Sequence, residues 1–145
     1  MTSVSCGLKA LPPAAKWVVV HDGARPLVTP ELIEATIRAA RSAKAAIAAV
    51  PVVPTIKQVR GGWVEKTLDR KRLWAVQTPQ VFERGLLEKA HQHGRGNSFV
   101  ATDDAALVER LGYRVRIVEG SPRNIKITTR EDLMVAVALM KRGRS

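Results

Sequence analysis

The succession of apolar runs and helix signals predicts an α/β fold, Rossmann-like, with a mainly parallel sheet and a projecting β-hairpin arm. Three observations carry this. Trp17 to Val20 and Ala45 to Val53 are continuous apolar runs that stop at turn residues, the pattern of strands covered on both faces. Helix signals alternate with such runs along the chain, which makes parallel pairing the economical arrangement. Lys57 to Lys66 breaks the pattern: half-polar stretches flank Gly61-Gly62, as in a hairpin that stands off the core. At 145 residues the chain is one domain's worth, long enough for a real core.

The elements follow in order. Val4, Leu8 and Leu11 lie at helical spacing, with Ser3 as a possible cap and Pro12-Pro13 as the stop. The Trp17 strand ends in His21-Asp22-Gly23-Ala24-Arg25-Pro26, so an acid, a glycine and an arginine sit just past a strand's carboxyl end. Thr29 is an N-cap with Pro30 behind it, and the helix runs to about Ser42 with Ile33, Ile37 and Ala40 on one face. After the hairpin and Asp69-Arg70, Leu73 to Phe82 returns to the core through Gln77-Thr78-Pro79-Gln80. Glu83 to His93 is a short helix and Gly94 to Asn97 a loop. Thr102 caps the next helix, with Asp103 and Asp104 at its positive end, Leu107, Val108 and Leu111 on its apolar face, and Gly112 as its stop. Tyr113 to Val118 is a strand, and Asn124 to Ile127 a short extended piece. Thr129 caps a last helix, Asp132 completes a near capping box, and Leu133, Val137 and Met140 form its apolar stripe.

Charge narrows the function classes. Lys and Arg number 24 against 13 Asp and Glu, a net +11, which suits an anionic partner. The basic residues are dispersed, apart from Arg142 and Arg144 near the end. With aromatics at 4 % and no nucleic-acid motif, small phosphates are a better fit than nucleic acid. No apolar run is long enough to cross a bilayer, and nothing reads as a signal peptide. One cysteine, Cys6, excludes an internal disulfide and reads as a core thiol in a cytoplasmic protein.

The groups able to do chemistry lie at strand ends and turns: Asp22, Arg25, Thr55, Arg70, Thr78, Thr102 and Lys126. Arg as a fork, Lys as a point charge and Thr as a neutral donor make a kit for holding phosphates. Asp22 could hold Mg²⁺ through phosphate oxygens, since magnesium takes one or two carboxylates and keeps water. His91 and His93 read as cationic or solvated groups at a helix end, and no third ligand completes a zinc site. Asp103-Asp104 reads equally as a metal pair or as a helix N-terminus. There is no Walker A sequence and no G-x-G-x-x-G.

Six strings then fall in order: V-H-D-G-A-R-P at 20–26, P-T-I-K at 54–57, D-R at 69–70, Q-T-P-Q-V-F at 77–82, A-T-D-D-A at 101–105 and N-I-K-I-T at 124–128. Together they resemble the 2-C-methyl-D-erythritol 4-phosphate cytidylyltransferases of non-mevalonate isoprenoid biosynthesis. The resemblance implies transfer of a cytidylyl group from CTP to a polyol phosphate with Mg²⁺, releasing pyrophosphate. It implies catalytic roles for Arg70 and Lys126, and a polyol-phosphate site of Asp22, Thr55, Arg70, Thr78, Thr102 and Lys126. Ser3, Asp22, Gly23 and Ala24 would meet the nucleotide, and Asp22 the metal. A homodimer follows in which residues 55–68 form the arm and carry Thr55 and Arg70 to the partner's site.

The departures carry equal weight. The family's glycine-rich P-A-A-G loop, which holds the CTP triphosphate, has no counterpart in residues 1–145. The chain therefore reads as the C-terminal portion of the domain, truncated at the N-terminus, with little activity of its own. Pro54 stands where the family usually has aspartate, and Arg123 where an acidic residue is common. A ribitol 5-phosphate cytidylyltransferase and an inactive dimerising remnant are the alternatives.

Overall fold

The computed structural model describes residues 3–95 and 101–141. In chain order they form α1 (Ser3–Ala10), β1 (Trp17–Val20), α2 (Pro30–Ala43), β2 (Ala45–Pro51), β3 (Lys57–Arg60), β4 (Trp63–Thr67), a 3₁₀ turn (Arg70–Arg72), β5 (Trp74–Glu83), α3 (Arg84–Arg95), α4 (Asp104–Arg110), β6 (Arg116–Glu119) and α5 (Arg130–Lys141). Four strands make one sheet in the order β1-β5-β2-β6. β5 is antiparallel to both β1 and β2, and β2 is parallel to β6. Three strands thus point one way and β5 alone runs back, because it returns from the hairpin instead of crossing over through a helix.

Side-chain alternation divides the core into two layers. Val18, Ala45, Ile47 and Phe82 face Leu8 of α1, Leu86, Leu87 and Ala90 of α3, and Ala105 and Val108 of α4. One residue out of step, Ala46 and Val81 face Ala40 of α2. This period of two explains why Ala45 to Ala49 is apolar without interruption: β2 is central and covered on both sides. The small alanines let helices approach closely, while Phe82 and Leu87 supply the bulk. β1 differs from the expected buried strand. It lies at the sheet's edge, and Val19 is 41 % exposed.

α2 starts as expected at Thr29, whose hydroxyl accepts from the Leu32 amide. It ends at Lys44, which takes the left-handed conformation and donates to Ala40 O. α3 continues past His93 to Arg95, so Gly94 is helical. The rest of the expected loop, to Asn97, lies outside the described residues, as do Arg142 and Arg144. The cap of α4 is Asp103, not Thr102: its carboxylate accepts from the Ala106 amide. β6 begins at Arg116 rather than Tyr113, and 124–127 form no ladder. Cys6 is exposed, because it falls on the outer side of α1 while Ser5 and Leu8 turn inward.

β3 and β4 pair only with each other, and every residue in them is exposed. Gly61 and Gly62 both have positive φ, which the two-residue turn between them requires. The hairpin therefore stands apart from the main sheet.

α5 carries the expected capping box. Asp132 accepts from the amides of Thr128 and Thr129 and from the Thr128 hydroxyl, while Thr129 Oγ1 accepts from the Asp132 amide. Its stripe is not a core face: Leu133, Val137 and Met140 are exposed, and Ala136 is the buried residue. The Thr128 and Thr129 hydrogen bonds lower the Asp132 carboxyl to about 2. Because the folded value lies below the ordinary carboxylate value of 3.8, the cap's contribution is intact above it and fades as pH falls towards 2. We expect amide protection at the start of α5 to fall over that window, and to be low and pH-independent there in Asp132→Ala. Hydrogen exchange measured residue by residue checks this.

Candidate active site

The site grows from two loops that leave parallel strands on the same side of the sheet. The first follows β1. Arg25 N donates to Asp22 O and closes a turn. The Asp22 amide donates to Thr78 Oγ1 at 3.0 Å, and Thr78 Oγ1 also pairs with His21 Nδ1 at 2.9 Å. β5 thereby fixes where the Asp22 carboxylate stands.

The second loop follows β6 and is held by Gln77. Its Nε2 donates to Ser121 O at 2.9 Å, and its Oε1 accepts from Asn124 Nδ2 at 3.3 Å. Asn124 is 1 % exposed and also donates to Thr78 O at 2.8 Å. A Cβ on Gly120 would run into the Gln77 amide and push it out of these hydrogen bonds. Ile127 N then donates to Ala24 O at 2.8 Å and ties the two loops together. Lys126, one residue earlier, reaches Asp22.

The result is a charge cluster around one oxygen. Asp22 Oδ2 meets Lys126 Nζ and Arg25 Nε, each at 3.2 Å. Arg25 is anchored further by donating from Nη1 to Asn124 O at 2.7 Å. Partial burial would by itself raise the Asp22 carboxyl. Lys126 first, then Arg25, outweighs it and holds the group below its usual value. A cleft of about 380 Å³ opens here, lined among others by Asp22, Arg25, Thr78, Gln80, Thr102 and Lys126.

Four of the expected site residues, Asp22, Thr78, Thr102 and Lys126, thus meet in one cleft. Ser3, Gly23 and Ala24 do not line it, although Val4, beside Ser3, does. Thr55 and Arg70 are exposed outside it, and Arg70 Nη1 donates to Val53 O at 2.6 Å. Sequence reasoning missed the supports Gln77, Gln80 and Asn124; buried amides look like ordinary polar residues until the loops are folded together. Of the cationic or solvated role expected for His91, the structure excludes the solvated one. That ring is buried, and its Nε2 lies 2.7 Å from Asp104 Oδ1. Pro54 is exposed, and Arg123 caps the far end of α5 by donating to Leu139 O at 2.8 Å.

Among the described residues no group of three His, Cys, Asp or Glu could cage a metal. Asp22 Oδ1 has no protein partner among them. One free carboxylate oxygen suits Mg²⁺ shared with substrate phosphates, because magnesium needs only one or two carboxylates when phosphates and water complete its shell.

A cleft beyond strand ends, lined by two cations, two hydroxyls and the carboxylates of Asp22, Asp103 and Asp104, lies where α/β proteins with parallel strands bind their ligands. The comparisons narrow this. The family model of IspD, 2-C-methyl-D-erythritol 4-phosphate cytidylyltransferase, matches residues 1–142. The Desulforamulus reducens cytidylyltransferase of that name is 54 % identical over 97 % of this chain and 61 % of its own length. The Pelotomaculum thermopropionicum enzyme is 54 % identical over 96 % and 59 %. The crystal structure of 4-diphosphocytidyl-2C-methyl-D-erythritol synthase from Anaerococcus prevotii superposes with a TM-score of 0.90 at 37 % identity, covering 96 % of this chain and 65 % of that one. The Thermus thermophilus cytidylyltransferase gives 0.86 at 39 %, covering 96 % and 68 %. The chain belongs to the 2-C-methyl-D-erythritol 4-phosphate cytidylyltransferase family, and it spans about 60 % of the length of the curated relatives it matches.

The charge cluster has a direct test. In Lys126→Met the burial of Asp22 loses its strongest counterweight, so the Asp22 carboxyl should titrate at higher pH than in the wild type. Carbon-detected NMR of the aspartate carboxyls reads this. An unchanged Asp22 titration would mean that Lys126 does not sit at the carboxylate.

Proposed function

We propose that the protein takes part in joining CTP to 2-C-methyl-D-erythritol 4-phosphate, giving the cytidine diphosphate ester of methylerythritol and pyrophosphate. The observation that carries this reading is the Asp22 cluster: Lys126 and Arg25 fixed on one oxygen beside Thr78 and Thr102 in a single cleft. In the reaction a phosphate oxygen of the polyol substrate attacks the α-phosphorus of CTP. The bond from that phosphorus to the bridging oxygen breaks, and pyrophosphate leaves with its electrons. No proton has to move at the phosphorus, so the chain's task is placement and charge.

Lys126 is the group that meets the negative charge building on the phosphoryl oxygens. Arg25 keeps Asp22 and Lys126 in place through the Asn124 carbonyl, so little reorganisation is needed when charge develops. Thr78 and Thr102 line the cleft as neutral donors for the polyol phosphate. Asp22 would hold Mg²⁺, which when bound would neutralise triphosphate charge and favour departure of pyrophosphate.

Thr55 and Arg70 belong to a second site in this reading. They flank a hairpin whose strands are exposed throughout, and they lie away from their own cleft. We place them over the cleft of a second copy, in a homodimer formed through residues 55–68. A single free cysteine, with no described helix long and apolar enough to cross a membrane, supports a cytoplasmic setting.

The test is pyrophosphate release with CTP, Mg²⁺ and methylerythritol phosphate. It is run on this chain and on a chimera carrying the N-terminal segment of the Desulforamulus reducens relative. We expect little release from the chain alone and turnover by the chimera. In the chimera, Lys126→Ala and Arg70→Ala should each lower turnover by roughly 100-fold, the usual cost of one preorganised charge donor. Mixing the two variants should restore part of it, because one site of a mixed dimer keeps both groups. A folded chimera without turnover overturns the reading. Undiminished rates in the variants overturn the roles of Lys126 and Arg70.

A further inference from the structure

Asp103 and Asp104 are the acidic pair that the cleft leaves unexplained. Adjacent carboxylates at the edge of a phosphate site suggest a metal pair, but their partners say otherwise. Asp103 uses both oxygens: Oδ1 accepts from the Ala106 amide at 2.9 Å, and Oδ2 accepts from Gln80 Nε2 at 3.0 Å. Asp104 Oδ1 lies 2.7 Å from His91 Nε2. A carboxylate can only accept, so that ring nitrogen carries the proton. The two acids therefore reach in different directions, Asp103 to the sheet at β5 and Asp104 to α3.

The holding groups are core residues. Gln80 is 3 % exposed and His91 8 %. Gln80 sits in the sheet opposite Val20 and Ile47; its Oε1 has no partner among the described residues, so among them the bond from Nε2 to Asp103 sets its amide orientation. α4 is seven residues long, too short to hold its shape without tertiary anchors. Ala105 and Val108 dock its body against α3 and β2. They do not fix the turn before it, where Thr102 stands exposed at the cleft. The two carboxylates do.

We propose that Gln80 and His91 are positioning residues for the polyol-phosphate side of the cleft. Through Asp103 and Asp104 they strut the start of α4 between β5 and α3, and so present Thr102 opposite Lys126. This rests on the functional reading above for the identity of the ligand. The strut itself does not.

The experiment uses the 145-residue chain with two readouts. One is calorimetric titration with 2-C-methyl-D-erythritol 4-phosphate. The other is amide exchange, comparing α4 with α2. His91→Leu and Gln80→Leu should each weaken binding about tenfold or more, as small misplacements of a binding group do. Both should speed exchange at Ala105 and Ala106 while leaving α2 protected. His91→Gln, which keeps a donor at similar reach, should bind within about twofold of wild type. Should His91→Leu not fold, Asp104→Ala removes the same bond from its other end. Wild-type affinity in the leucine variants, or faster exchange throughout the chain, overturns the proposal. A wild-type chain that takes up no methylerythritol phosphate counts against the functional reading instead. Exchange then decides the strut by itself: faster exchange confined to α4 supports it, and unchanged exchange overturns it.

Discussion

The buried amide of Asn124 is the contact on which the site depends. Its Nδ2 donates to both Gln77 Oε1 and Thr78 O, from a residue almost wholly out of water. Its buried Oδ1 finds no partner among the described residues, so the two bonds from Nδ2 are what hold the loop after β6 to β5. Everything charged follows from that. The Asn124 carbonyl anchors Arg25, Ile127 anchors Ala24, and Lys126 between them reaches the Asp22 carboxylate. Three stretches far apart in sequence thus meet through hydrogen bonds that carry no net charge. The charges are added to a frame already built.

This order matters in so basic a chain. With a net charge of +11, two cations in one cleft repel each other and draw stray anions. Asp22 offsets this by binding both through one oxygen. It keeps Lys126 and Arg25 together and directs them at one point, at the cost of part of their attraction for a ligand. An incoming phosphate then competes with a carboxylate rather than with bulk water alone.

Much of the fold was legible in the sequence because its signals are local. The β2 run, the Thr29 and Thr129 caps and the Gly61-Gly62 turn each declare themselves within a few residues. The reversal of β5 was not, since direction in a sheet is set by what a strand returns from. Likewise Thr102 and Asp103 are equally good caps on paper. Asp103 serves because Gln80, far away in sequence, draws it to the sheet. Cys6, expected in the core, is exposed and His91 is buried, because either fits its helix and only packing decides. Asp22, Thr78, Thr102 and Lys126 were legible as candidates from their places at strand ends and turns, and the fold brings them to one cleft. The amides that hold them were not, as these leave no trace in charge or periodicity.

The division between cleft and arm follows from the same physics. Groups that must be placed to a fraction of an ångström sit where backbone is tied on several sides, as at Asp22 and Lys126. Thr55 and Arg70 sit on exposed chain beside a hairpin whose strands pair only with each other. Among the described residues the Arg70 guanidinium is steadied by the Val53 carbonyl. A lone exposed arginine cannot be preorganised for charge stabilisation, because water screens it and its side chain has freedom to lose. Covering it would change both terms at once. The hairpin's Val59, Trp63 and Val64 are the apolar surface available for such cover, so any catalytic power of Arg70 is coupled to burial of the arm. Weakening that contact should then act on Arg70 and leave the charge cluster at Asp22 as it is.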